Sequence, residues 1–243
     1  MYTVKLVLEY DGTRFAGWQV QPCERTVQKV VEDTIEKVVH HPVRLIAAGR
    51  TDAGVHAAGQ VAGFKTESDM EMWRLEKALN GLLPRDVSVI RIDRVHDSFN
   101  ARFDAKSRSY RYTISDRRLS IGRKYAWHVT YKLDRTLLES STSVLNGECD
   151  LRGFSKGNEN QDFSTIVMKN QWTFNNNLMI FDITAIRFFH HAVRGIIGSA
   201  VEIARGKSSP SLMKQILETR DRKLAGPTAP AHGLCLVHVD YGE

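Results

Sequence analysis

Residues 43–54 read Val-Arg-Leu-Ile-Ala-Ala-Gly-Arg-Thr-Asp-Ala-Gly, an alternating apolar run followed by a turn with a glycine at each end. The alternation of Val43, Leu45 and Ala47 predicts a half-buried strand that leads directly into the turn. Asp52 then lies at the end of a strand, where flexible backbone can hold a carboxylate over a cleft. On spacing alone, a turn aspartate that bonds to its own backbone explains Asp52 more simply.

Apolar periodicity on both sides of this stretch predicts alternating strands and helices. One predicted helix has an apolar face from Val27 to Val39 and ends before Pro42, and a second is introduced by Ser68 and Glu71 as a capping box. The predicted strands of this half cover residues 2–10, 43–47, 60–65 and 87–92.

The second half of the chain repeats this rhythm. Asn175-Asn176-Asn177 predicts the tight turn of a hairpin, and Pro210 is expected at the first position of a helix. The predicted elements are a strand at about 109–115, a helix from Asp134 to Gly147, a polar loop at 155–162, a strand at 178–189, helices at 192–205 and 210–217, and a strand at 234–241. This order predicts an α+β fold with largely antiparallel sheets, which we divide into subdomains 1–105 and 106–243.

Composition limits the class of protein. The chain has 243 residues, of which 42% are hydrophobic and 26% charged, as in ordinary globular proteins. No apolar run approaches the roughly 20 residues of a transmembrane helix, and no secretory signal opens the sequence, so we expect a cytoplasmic protein without a membrane partner. Cys23, Cys149 and Cys235 are far apart and lack metal or redox spacing, which predicts reduced thiols.

The distribution of charge points towards a polyanion. The net charge is +6 and the sequence pI is about 9.3. Tyr110 and Tyr112 are interleaved with a basic stretch, which suits RNA because cations neutralise phosphates and aromatic rings stack on bases. A solvated strand face explains the pattern equally well. The cations are Arg102, Lys106, Arg108, Arg111, Arg117, Arg118, Arg123 and Lys124.

Three other motifs lack the context that their chemistry requires. Ser155 lies in a G-x-S-x-G pattern, but a polar loop follows it where a nucleophile elbow needs a helix. Gly206-Lys207-Ser208 resembles the end of a phosphate-binding loop, yet Val201 stands at the position of the first glycine. The pairs His40-His41 and His190-His191 are adjacent in sequence and therefore chelate poorly, so no metal site is expected.

The residues that flank Asp52 change the interpretation of this aspartate. Residues 49–57, Gly-Arg-Thr-Asp-Ala-Gly-Val-His-Ala, closely resemble the active-site signature of the tRNA pseudouridine synthase A family. Further resemblances follow in family order across nearly the whole chain. They include Tyr10-Asp11-Gly12-Thr13, Gly17-Trp18-Gln19, Thr26-Val27-Gln28, Ala78-Leu79-Asn80, Phe99-Asn100-Ala101-Arg102-Phe103, Tyr110-Arg111-Tyr112, Phe189-His190-His191, Val193-Arg194 and Val239-Asp240-Tyr241.

The resemblance implies a pseudouridine-synthase-like fold, with two subdomains whose mainly antiparallel sheets join across a central catalytic cleft. Asp52 corresponds to the catalytic aspartate of that family, Tyr110 to the tyrosine that packs on the target base, and Arg194 to the arginine paired with the aspartate. The implied reaction isomerises uridines 38, 39 and 40 of the tRNA anticodon stem-loop. It loses no atoms and transfers no electrons, so neither a cofactor nor a metal is expected. The family also implies a homodimer.

The same resemblance suggests which side chains hold the RNA. Arg50 corresponds to the arginine that fills the space left by the flipped uridine, and Arg102, Arg108 and Arg111 are expected to contact tRNA. Two other functions remain open: a synthase that acts on another RNA, and a non-catalytic tRNA-binding or folding protein. The chain departs from the family pattern at Gly63, Cys149 and Gly195, and the segment 163–170 lacks an expected arginine.

Overall fold

A computed structural model describes residues 1–158 and 160–242. The chain divides into two compact units, Met1–Lys106 together with the chain from Leu236 onward, and Ser107–Cys235. The sequence-based division falls between residues 105 and 106 and assigns the whole C-terminal part to the second subdomain.

The first unit is an antiparallel sheet with two helices. Its strands are β1 (Tyr2–Tyr10), β2 (Ile46–Ala47), β3 (His56–Thr66), β4 (Val87–Val95) and most of β10 (Leu234–Asp240), and its helices are α1 (Val27–Val39) and α2 (Met72–Leu82). The strand order is β4–β1–β3–β10, with β2 beside β3. Val4, Leu6 and Leu8 of the central strand β1 are fully buried, as their alternation predicts, but Thr3 and Lys5, which face the other way, are buried as well.

Helix α1 forms because its apolar residues recur with helical spacing. Val27, Val31 and Ile35 follow one another at intervals of four residues, and all three are fully buried. The helix ends at His40, which adopts the left-handed conformation and donates its N–H to the Glu36 carbonyl. Helix α2 is fastened to β4 by Asn80, whose side chain exchanges two 2.8 Å hydrogen bonds with the backbone of Val89.

The second unit contains the strands β5 (Ser107–Ser115), β6 (Trp127–His128), β7 (Gly147–Asp150), β8 (Ser164–Asn175) and β9 (Leu178–Ala185). Its helices are α3 (Arg135–Ser143), α4 (Ala192–Ala204) and α5 (Leu212–Thr219). The antiparallel order is β5–β9–β8–β7, and β6 lies parallel to β5. Tyr112, Phe181 and Ile183 lie on its core side and are fully buried.

The structure confirms the α+β class, the antiparallel pairing and most elements. Strand β1 and helices α1 and α4 lie where the periodicity predicts them. The hairpin between β8 and β9 also lies at its predicted turn, where Asn176 takes a φ of +49° and Asn175 pairs with Leu178. Among the described residues, no helix combines the length and apolarity that a membrane span requires.

Several predicted boundaries are wrong. The strand predicted at 43–47 shrinks to Ile46–Ala47, while the one predicted at 60–65 extends to His56–Thr66. The helix predicted from Asp134 to Gly147 starts as expected, with the Asp134 side chain accepting from the Leu137 N–H, but it ends at Ser143. The strand predicted to reach residue 189 ends at Ala185.

Two predicted helix starts are also wrong. Glu71 is itself the cap residue of α2 and makes no capping bond through its side chain, while the Ser68 hydroxyl accepts from the Met70 N–H. Ser211 rather than Pro210 directly precedes α5. The polar loop at 155–162 contains no helix or strand in its described part, and Glu159 lies outside the described residues.

Candidate active site

Asp52 occupies a tight reversal between β2 and β3. The turn closes through a 3.1 Å hydrogen bond from the Val55 N–H to the Asp52 carbonyl. Gly54 has a φ of +77°, a conformation in which a side chain is strained. Thr51 is buried, Asp52 is half-buried and Arg50 is exposed. The turn therefore presents two charged side chains on either side of a buried threonine.

The segment Tyr10–Trp18 holds this turn from outside. The Trp18 N–H donates to the Thr51 carbonyl at 3.0 Å, and the Gly54 N–H donates to the Phe15 carbonyl at 3.2 Å. The hydroxyls of Tyr10 and Thr51 bond each other at 2.8 Å in a buried position. Hydrogen bonds on both sides of Asp52 thus fix the backbone that carries its carboxylate.

Two glycines of that segment are needed for its close approach to the turn. A Cβ on Gly12 would lie 2.0 Å from the Val55 carbonyl oxygen, and one on Gly17 would lie 2.8 Å from the Thr51 carbonyl oxygen. Gly17 also has a φ of +97°. Contacts this short are not tolerated, so a side chain at either position would push the segment away from the turn.

The far side of the turn is held by strand β3. The Gln60 side chain donates to the Gly49 carbonyl at 2.7 Å. His56 is buried, and its Nδ1 accepts from the Gly12 N–H at 3.0 Å and lies 3.3 Å from Oδ1 of Asp11. None of Tyr10, Gly12, Gln60 and His56 is among the predicted site residues, although Tyr10, Gly12 and His56 lie in the quoted motifs.

Tyr110 and Arg194 belong to the second unit. Tyr110 lies in β5 opposite Ile183, is 7% exposed, and packs edge-on against Phe188 with ring centroids 5.2 Å apart. Arg194 lies in the first turn of α4. Its Nε donates to the Ala229 carbonyl at 2.7 Å, and its own carbonyl accepts from the Ala229 N–H at 3.1 Å. These two bonds fix the guanidinium relative to the helix.

Tyr112 is a further buried tyrosine that interacts with Arg194, and it is not among the predicted site residues. Its hydroxyl donates to the Pro230 carbonyl at 2.8 Å, next to the residue that holds Arg194. Burial raises the pKa of Tyr112 well above its ordinary value, and the positive charge of Arg194 opposes the shift only in part. The sequence signal for Tyr112 is its spacing from Tyr110, because residues two apart in a strand face the same side.

The predicted RNA-contact arginines have different surroundings. Arg102 is exposed and its guanidinium lies 5.6 Å from the ring centroid of Phe103. Arg108 is 8% exposed and donates to the Ile186 carbonyl at 2.7 Å. Arg111 forms a two-point ion pair with Asp182 at 2.7 and 3.0 Å, which raises the pKa of the guanidinium. Arg108 and Arg111 therefore also stabilise the second unit itself.

Comparison with known proteins assigns the family. The family model for tRNA pseudouridine synthase matches residues 6–104 and 142–242. The chain belongs to the tRNA pseudouridine synthase family.

Relatives of this family match the chain over nearly its full length. It is 40% identical over 242 residues to the tRNA pseudouridine synthase A of Exiguobacterium sp., covering 99% of this chain and 98% of the relative. It is 39% identical to that of Moorella thermoacetica, covering 99% and 100%. Among solved structures, a Cbf5–Nop10–Gar1 complex is similar at a TM-score of 0.35 and 10% identity over 81% of this chain and 54% of that one, too low a likeness to support an argument.

Two departures from the family pattern have a structural counterpart. A Cβ on Gly63 would lie 3.5 Å from the Phe99 ring, so Phe99 lies where a larger residue at 63 would extend. A Cβ on Gly195 would lie 2.3 Å from the Phe154 carbonyl oxygen, so α4 approaches that backbone too closely for a side chain. At the third departure, Cys149, burial together with the charge of Asp150 raises the pKa of the thiol to about 11.

The segment 163–170 lacks an arginine of its own but lies against Arg187, which follows the end of β9. Arg187 donates to the Ser164 carbonyl at 2.8 Å and pairs with Asp162. It also lies over the ring of Phe189, 5.6 Å from its centroid.

The motifs set aside from the sequence have local structural roles. The Ser155 hydroxyl donates to the Leu151 carbonyl at 2.7 Å and is buried, after a short 3-10 helix rather than a strand. His40 ends α1, and His41 bonds Thr66 through Nε2 at 2.9 Å. His191 precedes α4 with a φ of +67°.

Proposed function

We propose that this family member converts uridine to pseudouridine in tRNA, at positions 38, 39 and 40 of the anticodon stem-loop. The observation that carries the proposal is the Asp52 turn, which is held on both sides by hydrogen bonds in a chain of the tRNA pseudouridine synthase family. A fixed carboxylate is what a reaction at a sugar carbon requires. The choice of positions rests on the resemblance alone.

The reaction is an isomerisation that Asp52 would initiate. The N1–C1′ bond breaks, the uracil turns, C5 bonds to C1′, and the hydrogen on C5 leaves as a proton while N1 gains one. Asp52 would either attack C1′ or assist deprotonation of the sugar. No electron is gained or lost, so the proposed chemistry uses only side chains and needs no cofactor or metal.

Tyr110 and Arg194 would complete this chemistry. The ring of Tyr110 offers a flat face that would confine the detached uracil, and its hydroxyl would assist removal of the C5 proton. Arg194 would keep the Asp52 carboxylate ionised and correctly aimed. The two hydrogen bonds that join Arg194 to Ala229 support this role, because a guanidinium already fixed loses less entropy when it binds a carboxylate.

A stacked uridine hides its glycosidic bond, so the target must be turned out of its stack. Arg50 would occupy the vacated space, and its exposure beside Asp52 supports that role. Arg102 would contact phosphates. Arg108 and Arg111 would also contact the RNA, in addition to their bonds within the second unit. We further propose that the protein is a cytoplasmic homodimer that binds tRNA, as the resemblance implies.

The test uses tRNA transcripts that carry tritium at C5 of uridine. Forming the C5–C1′ bond expels this hydrogen, so tritium in water reports the reaction directly. We expect release by the wild type and none by Asp52→Asn, which should still bind tRNA with similar affinity. Release by Asp52→Asn at the wild-type rate would remove Asp52 from its proposed role.

The same assay separates the two alternatives. Release from ribosomal or small nuclear RNA but not from tRNA would indicate a synthase for another RNA. Tight tRNA binding without release from any RNA would indicate a non-catalytic binding or folding protein.

A further inference from the structure

A groove of about 500 Å³ lies within the second unit, between the loop that follows β5 and the hairpin turn that joins β8 to β9. A backbone hydrogen bond of 3.2 Å from the Asp116 N–H to the Asn177 carbonyl holds the two walls together. Arg135 supports the turn from behind by donating to the Asn176 carbonyl at 3.3 Å. The groove is thus a formed feature of the fold, and the proposed chemistry of Asp52, Tyr110 and Arg194 does not use it.

The loop wall is unusually cationic. Arg117 lines the groove, and Arg118, Arg123 and Lys124 are its neighbours in the same short loop, against one acidic residue, Asp116. In the part of the chain that the structure describes, neither Arg117 nor Arg118 forms an ion pair. Three other arginines of this unit do form ion pairs: Arg111 with Asp182, Arg187 with Asp162 and Arg220 with Asp150.

The other wall of the groove, formed by the turn between β8 and β9, carries three side-chain amides. Asn175, Asn176 and Asn177 are exposed, and across the described residues their side chains form no hydrogen bond within the chain. Glycine would serve the turn equally well at position 176, where φ is +49°. An asparagine there keeps a donor and an acceptor in the groove that a glycine would lack.

An aromatic and an aliphatic side chain complete the lining. Tyr125 is 50% exposed and Ile121 is 94% exposed. Guanidinium groups, amides and an exposed aromatic ring are together the set that binds non-helical RNA, because it meets phosphates, base edges and base faces respectively. If a second copy of this chain docked here through the same groove, its four cations would face the four cations of the first copy and repel them. A polyanion is therefore the favoured occupant.

We propose that this groove binds an unpaired stretch of tRNA, with Arg117 and Arg118 on phosphates, the asparagine amides on base edges and Tyr125 stacked on a base. The proposal rests on the proposed function in one respect, the identity of the RNA as tRNA. It adds a recognition site to the predicted contacts of Arg50, Arg102, Arg108 and Arg111.

The first test measures tRNA affinity by filter binding over a range of salt concentrations. Arg117→Ala/Arg118→Ala should weaken binding by about tenfold and lower the slope of log Kd against log salt by about 1.4 to 1.8, since each of the two phosphate contacts contributes about 0.7 to 0.9. The matched control, Lys214→Ala/Lys223→Ala, removes two exposed charges from the same unit. A groove variant whose affinity and salt slope equal those of this control would overturn the proposal.

A second test separates recognition from charge. Asn176→Gly keeps the left-handed turn and should weaken binding several-fold with no change in salt slope, and Tyr125→Leu should weaken it more than Tyr125→Phe. The rival occupant of the groove is a second copy of this chain, so the oligomeric state of each variant is measured by sedimentation velocity. A change in oligomeric state with unchanged tRNA affinity would overturn the RNA assignment in favour of an interface between copies. Because all of these measurements report binding, an absence of tritium release by the wild type would count against the proposed function and not against the groove.

Discussion

The hydrogen bond between Tyr10 and Thr51 provides a direct test of how the Asp52 turn is held. Both residues are buried, with exposures of 2% and 6%, and their hydroxyls are 2.8 Å apart. Tyr10→Phe leaves the Thr51 hydroxyl buried without this partner, which costs roughly 1–3 kcal/mol of unfolding free energy. Thr51→Val removes the other hydroxyl at nearly constant volume and should cost a similar amount.

The double variant gives the decisive comparison. Tyr10→Phe also removes the 3.4 Å hydrogen bond from the Gln60 amide to the Tyr10 hydroxyl, but the second substitution orphans no further group, so Tyr10→Phe/Thr51→Val should be destabilised by little more than Tyr10→Phe alone. The resulting coupling energy should be roughly 1–2 kcal/mol. Urea unfolding followed by both circular dichroism and fluorescence measures it, and the two transitions must coincide because a chain of two compact units need not unfold in one step.

Activity should follow the position of the turn. Each single variant lets Thr51, and with it Asp52, shift relative to the substrate, so the rate of tritium release should fall between about tenfold and a hundredfold. Losses in stability that simply add, with a coupling energy below about 0.5 kcal/mol, would refute the view that this bond holds the turn.

Two further predictions concern packing and acid stability. Gly195→Ala should lower the unfolding free energy by about 1–3 kcal/mol because its Cβ would lie 2.3 Å from the Phe154 carbonyl oxygen, whereas Gly81→Ala meets nothing within 4 Å and should be neutral or stabilising; thermal unfolding compares them, and equal melting temperatures would contradict the packing argument. Arg25 bonds both carboxylate oxygens of Asp86 at 2.8 Å and lowers the pKa of that carboxyl, so the pair stabilises the fold above about pH 4 and this contribution is lost as the pH falls through the lowered pKa. Asp86→Asn should therefore be less stable than the wild type by at most about 1 kcal/mol at pH 7, with the difference shrinking below pH 4, and a difference that is constant down to pH 2 would contradict it.

Elements with strong local signals could be predicted from the sequence. Helix α1 needs only the spacing of Val27, Val31 and Ile35 and the stop before Pro42. The β8–β9 turn needs only an asparagine that tolerates a positive φ at position 176. In both cases the residues that form the element also carry the signal, so tertiary contacts reinforce a preference that is already present.

Elements whose bounds depend on a distant partner could not be predicted. Gly147 does adopt a left-handed conformation, but it opens β7 rather than ending α3, because β7 exists only through its pairing with β8. The short strand β6 likewise has two residues and no periodicity of its own. Ser68 and Glu71 have capping-box spacing, yet Glu71 rather than Ser68 takes the cap position, and its side chain makes no capping bond. Spacing alone does not fix which residue caps a helix.

The active-site sequence shows a similar limit. Residue type identified Arg108 as a candidate phosphate ligand, but burial and a bond to the Ile186 carbonyl also give it a structural role. Arg117 is only one of eight cations in the basic stretch of the sequence, yet in the structure it lines the groove. Composition registers how many cations a segment has, whereas ion pairing within the fold decides which of them are available for RNA.

The same reasoning explains why the motif around Asp52 is so long. A single carboxylate needs one residue, but holding it to within a fraction of an ångström needs two glycines that let another segment approach and a tyrosine that bonds the neighbouring threonine. Gly12, Gly17 and Tyr10 lie some forty residues before Asp52, so neither stretch alone explains why the other reads as it does. We therefore expect Gly12→Ala, which changes no proposed catalytic group, to lower the rate of tritium release nearly as much as a substitution in the Asp52 turn itself.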